Sequence, residues 1–163
     1  MYRQDWNQPS VFDGLSREQL RSLDPILHPC QFPADLVVFE QGAPAKYLYL
    51  LLAGEVMIQY KPYDGPSLTV ARIFPGGVFG WSAALGRQAY TSAAITAQPS
   101  ETYRIRGSDL RNLCERVPET GAIFLDRLAS VIAERLRNTH SEILAMLNQG
   151  IDPTGECSKR IFK

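Results

Sequence analysis

The stretch Phe74-Pro75-Gly76-Gly77-Val78-Phe79-Gly80-Trp81-Ser82-Ala83-Ala84-Leu85 places three glycines and a proline between apolar residues. It predicts the end of a strand, a glycine turn and one short helical turn, and residues 90–93 then lead into a second strand. The first N–H groups of a helix have no partner within the helix, and phosphate is their usual ligand. The alternative, favoured by local sequence alone, is a plain connector between two strands.

Short apolar segments lie on both sides of this stretch, and glycine and proline separate them. The sequence predicts strands at residues 37–39, 47–52, 55–60, 68–74, 94–97 and 101–105. Several short strands at close spacing, with turn residues between them, are typical of a β-sandwich or a β-barrel. The sequence therefore predicts a mainly β fold.

Helices are predicted before and after the strands. Ser16 can cap a short helix, and Ser108 can cap another that continues to about Val117. Pro118 suits the first turn of an amphipathic helix of about 30 residues. Its apolar side is formed by Phe124, Leu128, Ile132, Leu136, Ile143 and Leu147. A small barrel cannot cover the whole apolar side of a helix of this length. We therefore expect part of the helix to contact another copy of the chain or another domain. The alternative is a helix packed wholly on its own barrel.

Composition limits the class of protein. The chain has 163 residues, 45% of them hydrophobic and 21% charged, which suits one domain with a core. Its seventeen basic and seventeen acidic residues cancel, which argues against nucleic acid as a direct partner. No segment resembles a signal peptide or a membrane span, and the three scattered cysteines (Cys30, Cys114 and Cys157) suggest a reducing compartment. We expect a cytoplasmic protein.

Catalytic and metal-binding motifs are not found in the sequence. His28 and His140 are far apart, and there is no nucleophile elbow, Walker loop or plausible pair of carboxylates. A cupin-like enzyme shares the rolled sheet but needs several histidines, and this chain has two. We therefore expect neither an enzymatic activity nor a metal site.

In their order, these elements resemble the cyclic nucleotide-binding domain of Crp/Fnr-type bacterial regulators, protein kinase regulatory subunits and gated channels. The resemblance rests on residues 12–16, 32–42, 47–56 and 75–80, which follow each other as the family's motifs do. It implies a double-stranded β-helix (jelly-roll) barrel with an N-terminal helix and a long C-terminal helix. The implied parts are a β-roll at 10–117, a terminal helix at 118–148 and a tail at 149–163.

The resemblance implies a site for a cyclic nucleotide, or a related anionic ligand, at the glycine turn. In the family, backbone amides and an arginine hold the phosphate, a glutamate holds the ribose, and the terminal helix closes on the base. The ligand-binding residues predicted here are Phe79, Gly80, Trp81, Ser82, Ala83, Arg87, Tyr90, Thr91 and Ser92. We call residues 79–92 the cassette.

Two positions of the cassette depart from the family pattern. Aligned without gaps from Gly80, the glutamate position holds Trp81 and the arginine position holds Tyr90. A lost hydrogen bond to a charged group costs about 1.5–3 kcal/mol, which is about ten- to hundredfold in affinity. Arg87 is either a substitute or a solvated loop residue. Trp81 either stacks on a base or, as is more usual for a buried indole, fills the core.

These observations predict a ligand-sensing regulatory domain in which ordinary binding of cyclic AMP or cyclic GMP is weakened. The alternative is a dimerisation or docking scaffold that has lost nucleotide binding. The family pattern and the long helix together predict a homodimer through residues 119–148. Residues 151–163 are too few for the DNA-reading module of Crp/Fnr regulators, so we expect either a piece of a longer regulator or a domain that signals through protein contacts. No membrane partner is expected.

Overall fold

The computed structural model describes residues 10–149 and begins with three short helical elements. They are a 3-10 turn at Ser10–Phe12, helix α1 at Arg17–Leu23 and a second 3-10 turn at Asp24–Ile26. In α1, Ser16 Oγ accepts a hydrogen bond from the Gln19 N–H at 3.2 Å, and Gln19 Oε1 accepts one from the Ser16 N–H at 2.9 Å. This capping box confirms the predicted cap at Ser16.

Eight strands form two sheets. They are β1 His28–Phe32, β2 Val37–Phe39, β3 Tyr47–Ala53, β4 Val56–Tyr60, β5 Leu68–Ile73, β6 Val78–Phe79, β7 Ala93–Thr96 and β8 Ser100–Arg106. The first sheet has the order β1-β8-β3-β6 and the second has the order β2-β7-β4-β5. All the recorded strand pairs are antiparallel. The predicted mainly β jelly-roll fold with flanking helices is confirmed.

Strands β1 and β6 are additions to the six predicted strands. At β1, Pro29 and Pro33 indicated only that no long helix forms there. In the structure β1 lies at the edge of its sheet and pairs with β8 alone. A proline has no N–H to donate, so it is tolerated in an edge strand. The six predicted strands are each confirmed to within one residue at either end.

The apolar core of the roll lies between the two sheets. It is formed by Tyr49, Leu51, Val56, Ile58, Ile73, Phe79 and Ala94, which come from strands of both sheets. Phe32 and Phe39 pack against this cluster. Burial of apolar surface contributes about 25 cal/mol per Å², so this core is a main source of stability for the roll.

Two helices follow β8, namely α2 at Gly107–Arg116 and α3 at Pro118–Gln149. The predicted cap at Ser108 is wrong, since α2 already includes Gly107 and no side chain caps it. The main chain holds this end instead, because the Gly107 N–H donates to the Lys46 carbonyl at 2.9 Å. The predicted long helix from Pro118 is confirmed and has 32 residues.

The outer side of the first sheet is buried as well. Leu48 and Leu50 alternate with the core residues of β3 and are fully buried, as are Ile105 of β8 and Phe124 of α3. The Phe12 and Phe124 rings lie 6.4 Å apart, centre to centre. The first sheet therefore has two apolar faces, and only its inner face contributes to the core between the two sheets.

The chain divides into two compact units between Val131 and Ile132, within α3. In the first unit, Phe124 and Leu128 of the predicted apolar stripe are buried. In the second unit, the Leu136 side chain is 56% exposed and the Leu144 side chain is 47% exposed. The Ile132 side chain is half-buried. The structure does not describe the side chains at 143 and 147 or the tail at 150–163, and the domain boundary at 117/118 stays a prediction. Within residues 10–149, no helix combines the length and the apolar character needed to cross a membrane.

Candidate ligand-binding site

The cassette begins at a glycine that is held against the roll. Strand β6 pairs with Tyr49 and Leu50 of β3, and Gly80 then takes a left-handed conformation with φ of +74°. A Cβ atom at this position would lie 2.9 Å from the Tyr47 carbonyl oxygen and 3.2 Å from Phe39 Cε1. Only glycine fits both the conformation and the space.

The predicted helical turn follows directly, as a 3-10 helix at Trp81–Ala83. Ser82 and Ala83 are buried. The Ser82 carbonyl accepts a hydrogen bond from the Arg87 N–H at 3.0 Å, and the Ala83 carbonyl accepts one from Arg111 Nη1 at 3.4 Å. The turn is thus fixed both to its own loop and to α2.

Tyr90 closes the other end of the cassette. Its hydroxyl donates to the Tyr47 carbonyl at 2.6 Å and accepts from the Tyr47 N–H at 3.0 Å. Its ring stacks on Phe39 with centres 3.7 Å apart and 14° between the planes. Tyr90 is only 5% exposed, and burial raises the pKa of its hydroxyl. The residue at the family's arginine position is therefore a buried neutral ring that clamps strand β3.

The other predicted site residues lie at different depths. Trp81 is half-buried, Arg87 and Thr91 are exposed, and Ser92 is half-buried. The core-filling role of Trp81 stays a prediction, and the interior beside Gly80 contains rings from strands together with the ring of Tyr90. The rings in contact there are Phe32, Phe39, Tyr47, Tyr49, Phe79 and Tyr90.

Positive charge lies close to the cassette, on residues that the sequence analysis did not select. The Arg104 guanidinium lies 4.4 Å from the centre of the Tyr47 ring, and Arg106 Nη2 donates to the Tyr47 hydroxyl at 3.4 Å. The hydrogen bond from Arg106, together with the charges of Arg104, Arg106 and Lys46, lowers the pKa of Tyr47. Alternation along β8 was the available signal, since it puts residues 104 and 106 on one face. The pairing of β8 with β3 could not be predicted from the local sequence.

Other chemistry is limited in the part of the chain that the structure describes. Among the side chains that the structure describes there is no group of three or more from His, Cys, Asp or Glu that could hold a metal ion. Cys30 and Cys114 are free thiols. An open cavity of about 500 Å³ is lined by Ile26, Asp109, Asn112, Glu115 and Arg116, none of which belongs to the predicted site.

Comparison with known proteins gives one clear family. A family model described as a cyclic nucleotide-binding domain matches residues 29–117, which is more than half of the 163-residue chain. A relative from Mycobacterium tuberculosis, named as a CRP-like cAMP-activated global transcriptional regulator, is 26% identical over 94% of this chain. The chain spans 66% of that relative's length.

Two solved structures are similar as well. One, from Geobacter metallireducens GS-15 and named as a proposed cyclic nucleotide-binding protein, is 31% identical with a TM-score of 0.67, and the match covers 77% of this chain and 91% of that one. The other is a cAMP-binding acyltransferase from Mycobacterium smegmatis, 25% identical with a TM-score of 0.65. It is matched over 80% of this chain but only 39% of its own.

Proposed function

The chain belongs to the cyclic nucleotide-binding domain family, and we propose that it is a ligand-sensing regulatory domain. Its ligand is a cyclic nucleotide or a related anionic molecule, bound at the cassette. The observation that carries the proposal is the fit of Gly80 against Tyr47 and Phe39, followed at once by a helical turn. Starts of helices leave backbone N–H groups for an anion, and the family uses such groups for phosphate.

The proposed affinity for ordinary cyclic nucleotides is low. Arg87 is the sole charged residue of the cassette, and it is exposed. Tyr90 offers no charge to a phosphate, and its hydroxyl is already engaged by Tyr47. Loss of a charged hydrogen bond corresponds to a binding constant about ten- to hundredfold weaker.

The output of the domain belongs to the same proposal. The Mycobacterium tuberculosis relative is named as a transcriptional regulator, and we propose that this chain is the effector part of a regulator of that kind, without catalysis of its own. We propose that it forms a homodimer through residues 119–148, and a lid role for the same helix stays a prediction. The exposed Leu136 and Leu144 support an apolar contact with a second copy.

Isothermal titration calorimetry tests ligand sensing. Cyclic AMP, cyclic GMP and cyclic di-GMP are titrated into the protein, with linear AMP as the control for the cyclic phosphate. We expect saturable binding of at least one cyclic ligand at or below millimolar concentration, and weaker binding of linear AMP. No heat with any cyclic ligand at millimolar concentration would overturn sensing of this class and leave the scaffold alternative.

Tryptophan fluorescence localises the ligand. The chain has two tryptophans, Trp6 and Trp81, so a Trp6→Phe variant reports on the cassette alone. Because Trp81 is half-buried beside Gly80, we expect its emission to change during the titration and to saturate with the calorimetric binding constant. Binding by calorimetry with constant Trp81 emission would place the ligand away from the cassette.

A further inference from the structure

The inner face of the first sheet carries an arginine in line with the cassette. Arg104 of β8 lies opposite Tyr49 of β3, and Tyr49 lies opposite Phe79 of β6. Directly opposed residues of antiparallel strands share a face, and Tyr49 and Phe79 belong to the core between the sheets. Arg104 therefore belongs to the interior face. It lies two strands away from Phe79, the residue before Gly80, which corresponds to about 10 Å across the sheet.

Two polar atoms on this face have no hydrogen-bond partner among the described residues. They are Arg104 Nε and Thr102 Oγ1, and both are buried. Thr102 is only 1% exposed and stands two residues before Arg104, so it belongs to the same face. Native proteins pair nearly all of their buried polar groups, so these two atoms indicate a partner that the described chain does not supply.

The charge of Arg104 points to the chemistry of that partner. Its guanidinium lies over the Tyr47 ring, and the structure records no carboxylate of residues 10–149 within ion-pair distance of it. Lys46 and Arg106 add positive charge around the same ring. A guanidinium donates two parallel hydrogen bonds to a phosphate, which makes arginine the usual residue for phosphate recognition.

We propose that Arg104 binds the phosphate group of the ligand and thereby replaces the arginine that is missing at position 90, while the Thr102 hydroxyl hydrogen-bonds the same ligand. The phosphate then meets a positive charge from β8 instead of one from the cassette. This inference rests on the proposed function, because it assigns residues to the ligand of that site.

The competing explanation is structural. Arg104 then serves only to stack on Tyr47, and stacking of this kind stabilises the folded chain without any ligand. The two explanations differ in what an Arg104→Met variant loses. If Arg104 binds the ligand, the Arg104→Met variant has a lower affinity for that ligand. Its thermal unfolding without ligand changes little, because the substitution also removes an unpaired buried donor. If Arg104 only stacks on Tyr47, the main effect of Arg104→Met is a loss of thermal stability.

The test combines NMR of arginine side chains with matched variants. The Nε–H signal of Arg104 is assigned by its disappearance in Arg104→Lys, and it is followed during titration with cyclic AMP, cyclic GMP, cyclic di-GMP and inorganic phosphate. Calorimetry compares Arg104→Met with Arg116→Met, which changes an exposed arginine of α2 outside the cassette. Thermal unfolding without ligand is measured for all of them.

We expect a cyclic nucleotide to shift the Arg104 Nε–H signal. We expect Arg104→Met to weaken binding by about ten- to hundredfold, and the Arg116→Met control to stay within about twofold. Nucleotide binding that Arg104→Met leaves intact, or a variant that only loses thermal stability, overturns the inference and leaves the proposed function. A shift with inorganic phosphate but with no nucleotide supports an anion site and overturns the proposed function. No response to any of the probes overturns both.

Discussion

Gly80 and Tyr90 fix the two ends of the cassette on a single strand residue. The Cβ position of Gly80 lies 2.9 Å from the Tyr47 carbonyl oxygen, and the Tyr90 hydroxyl hydrogen-bonds both the N–H and the carbonyl of Tyr47. The same Tyr47 carries its ring under the Arg104 guanidinium. Tyr47 therefore contacts both ends of the cassette and the interior arginine.

Gly80→Ala tests the close approach at the start of the cassette. The matched control is Gly86→Ala, because Gly86 has φ of +70° and no neighbouring atom within 4 Å of its Cβ position. The left-handed conformation alone costs about 1–2 kcal/mol for alanine, so we expect that loss in the control. Gly80→Ala should lose about 1–3 kcal/mol more, because the backbone of Tyr47 must move. Urea unfolding measures both, and equal losses would contradict the account.

Tyr90→Phe tests the clamp at the other end. The substitution keeps the ring on Phe39 and removes both hydrogen bonds to Tyr47, so we expect the free energy of unfolding to fall by about 1–3 kcal/mol. Tyr63→Phe is the control, since Tyr63 is fully exposed and should change stability little. If the two variants unfold at the same urea concentration, the clamp has no energetic role.

Buried tyrosines make the folded state sensitive to alkaline pH. Burial raises the pKa of both Tyr49 and Tyr90 above the usual value of about 10, so the unfolded chain releases these protons first. Stability is then fully present below about pH 10 and falls above it, by up to about 1.4 kcal/mol per pH unit for each tyrosine. Urea unfolding of Tyr49→Phe between pH 9 and 11 should show a shallower fall than the parent chain. Parallel curves would show that Tyr49 ionises as easily in the folded protein.

Among helices, strands and turns, local sequence signals were sufficient to predict those elements whose structure is determined by a single segment of the chain. The cap at Ser16 and the helical turn after Gly80 are of this kind, and the structure contains both. Strand β1 was not predicted, because its prolines are tolerated only at a sheet edge, and the position of a strand within a sheet is set by distant residues.

The same distinction applies to the candidate site. The cassette was found from Gly76, Gly77 and Gly80, which lie close together in the sequence. Arg104 and Thr102 were missed because β8 meets β3 through pairing over about fifty residues of chain, for example Tyr49 with Arg104. The burial of Tyr90 depends on Phe39 and Tyr47, which come from strands β2 and β3.

Helix α3 carries the prediction for assembly. Leu136 and Leu144 are eight residues apart, so both belong to one side of the helix, and both are exposed in the single chain. We expect a dimer by analytical ultracentrifugation, and we expect the double variant Leu136→Ser, Leu144→Ser to be monomeric. Leu68→Ser is the control, because Leu68 is 52% exposed on strand β5. A parent chain that is monomeric at micromolar concentration, or a dimer that survives the double variant, would contradict a role for this face.

At the scale of the whole molecule, a net charge of zero hides an uneven distribution. Seventeen basic residues balance seventeen acidic ones, yet Lys46, Arg104 and Arg106 all lie close enough to Tyr47 to lower its pKa. Such a local excess attracts a small anion without making the whole chain a nucleic-acid binder. The charge pattern therefore agrees with a domain of this family that senses a small molecule.

A 1H–15N spectrum of the backbone amides, recorded during titration with cyclic AMP and cyclic GMP, shows directly whether the ligand binds at the cassette. We expect the signals of residues 79–92 to shift most and to saturate together, with Gly80 and its immediate successors among the largest changes. Unchanged cassette signals at millimolar nucleotide, or shifts confined to other parts of the chain, would contradict binding at the cassette.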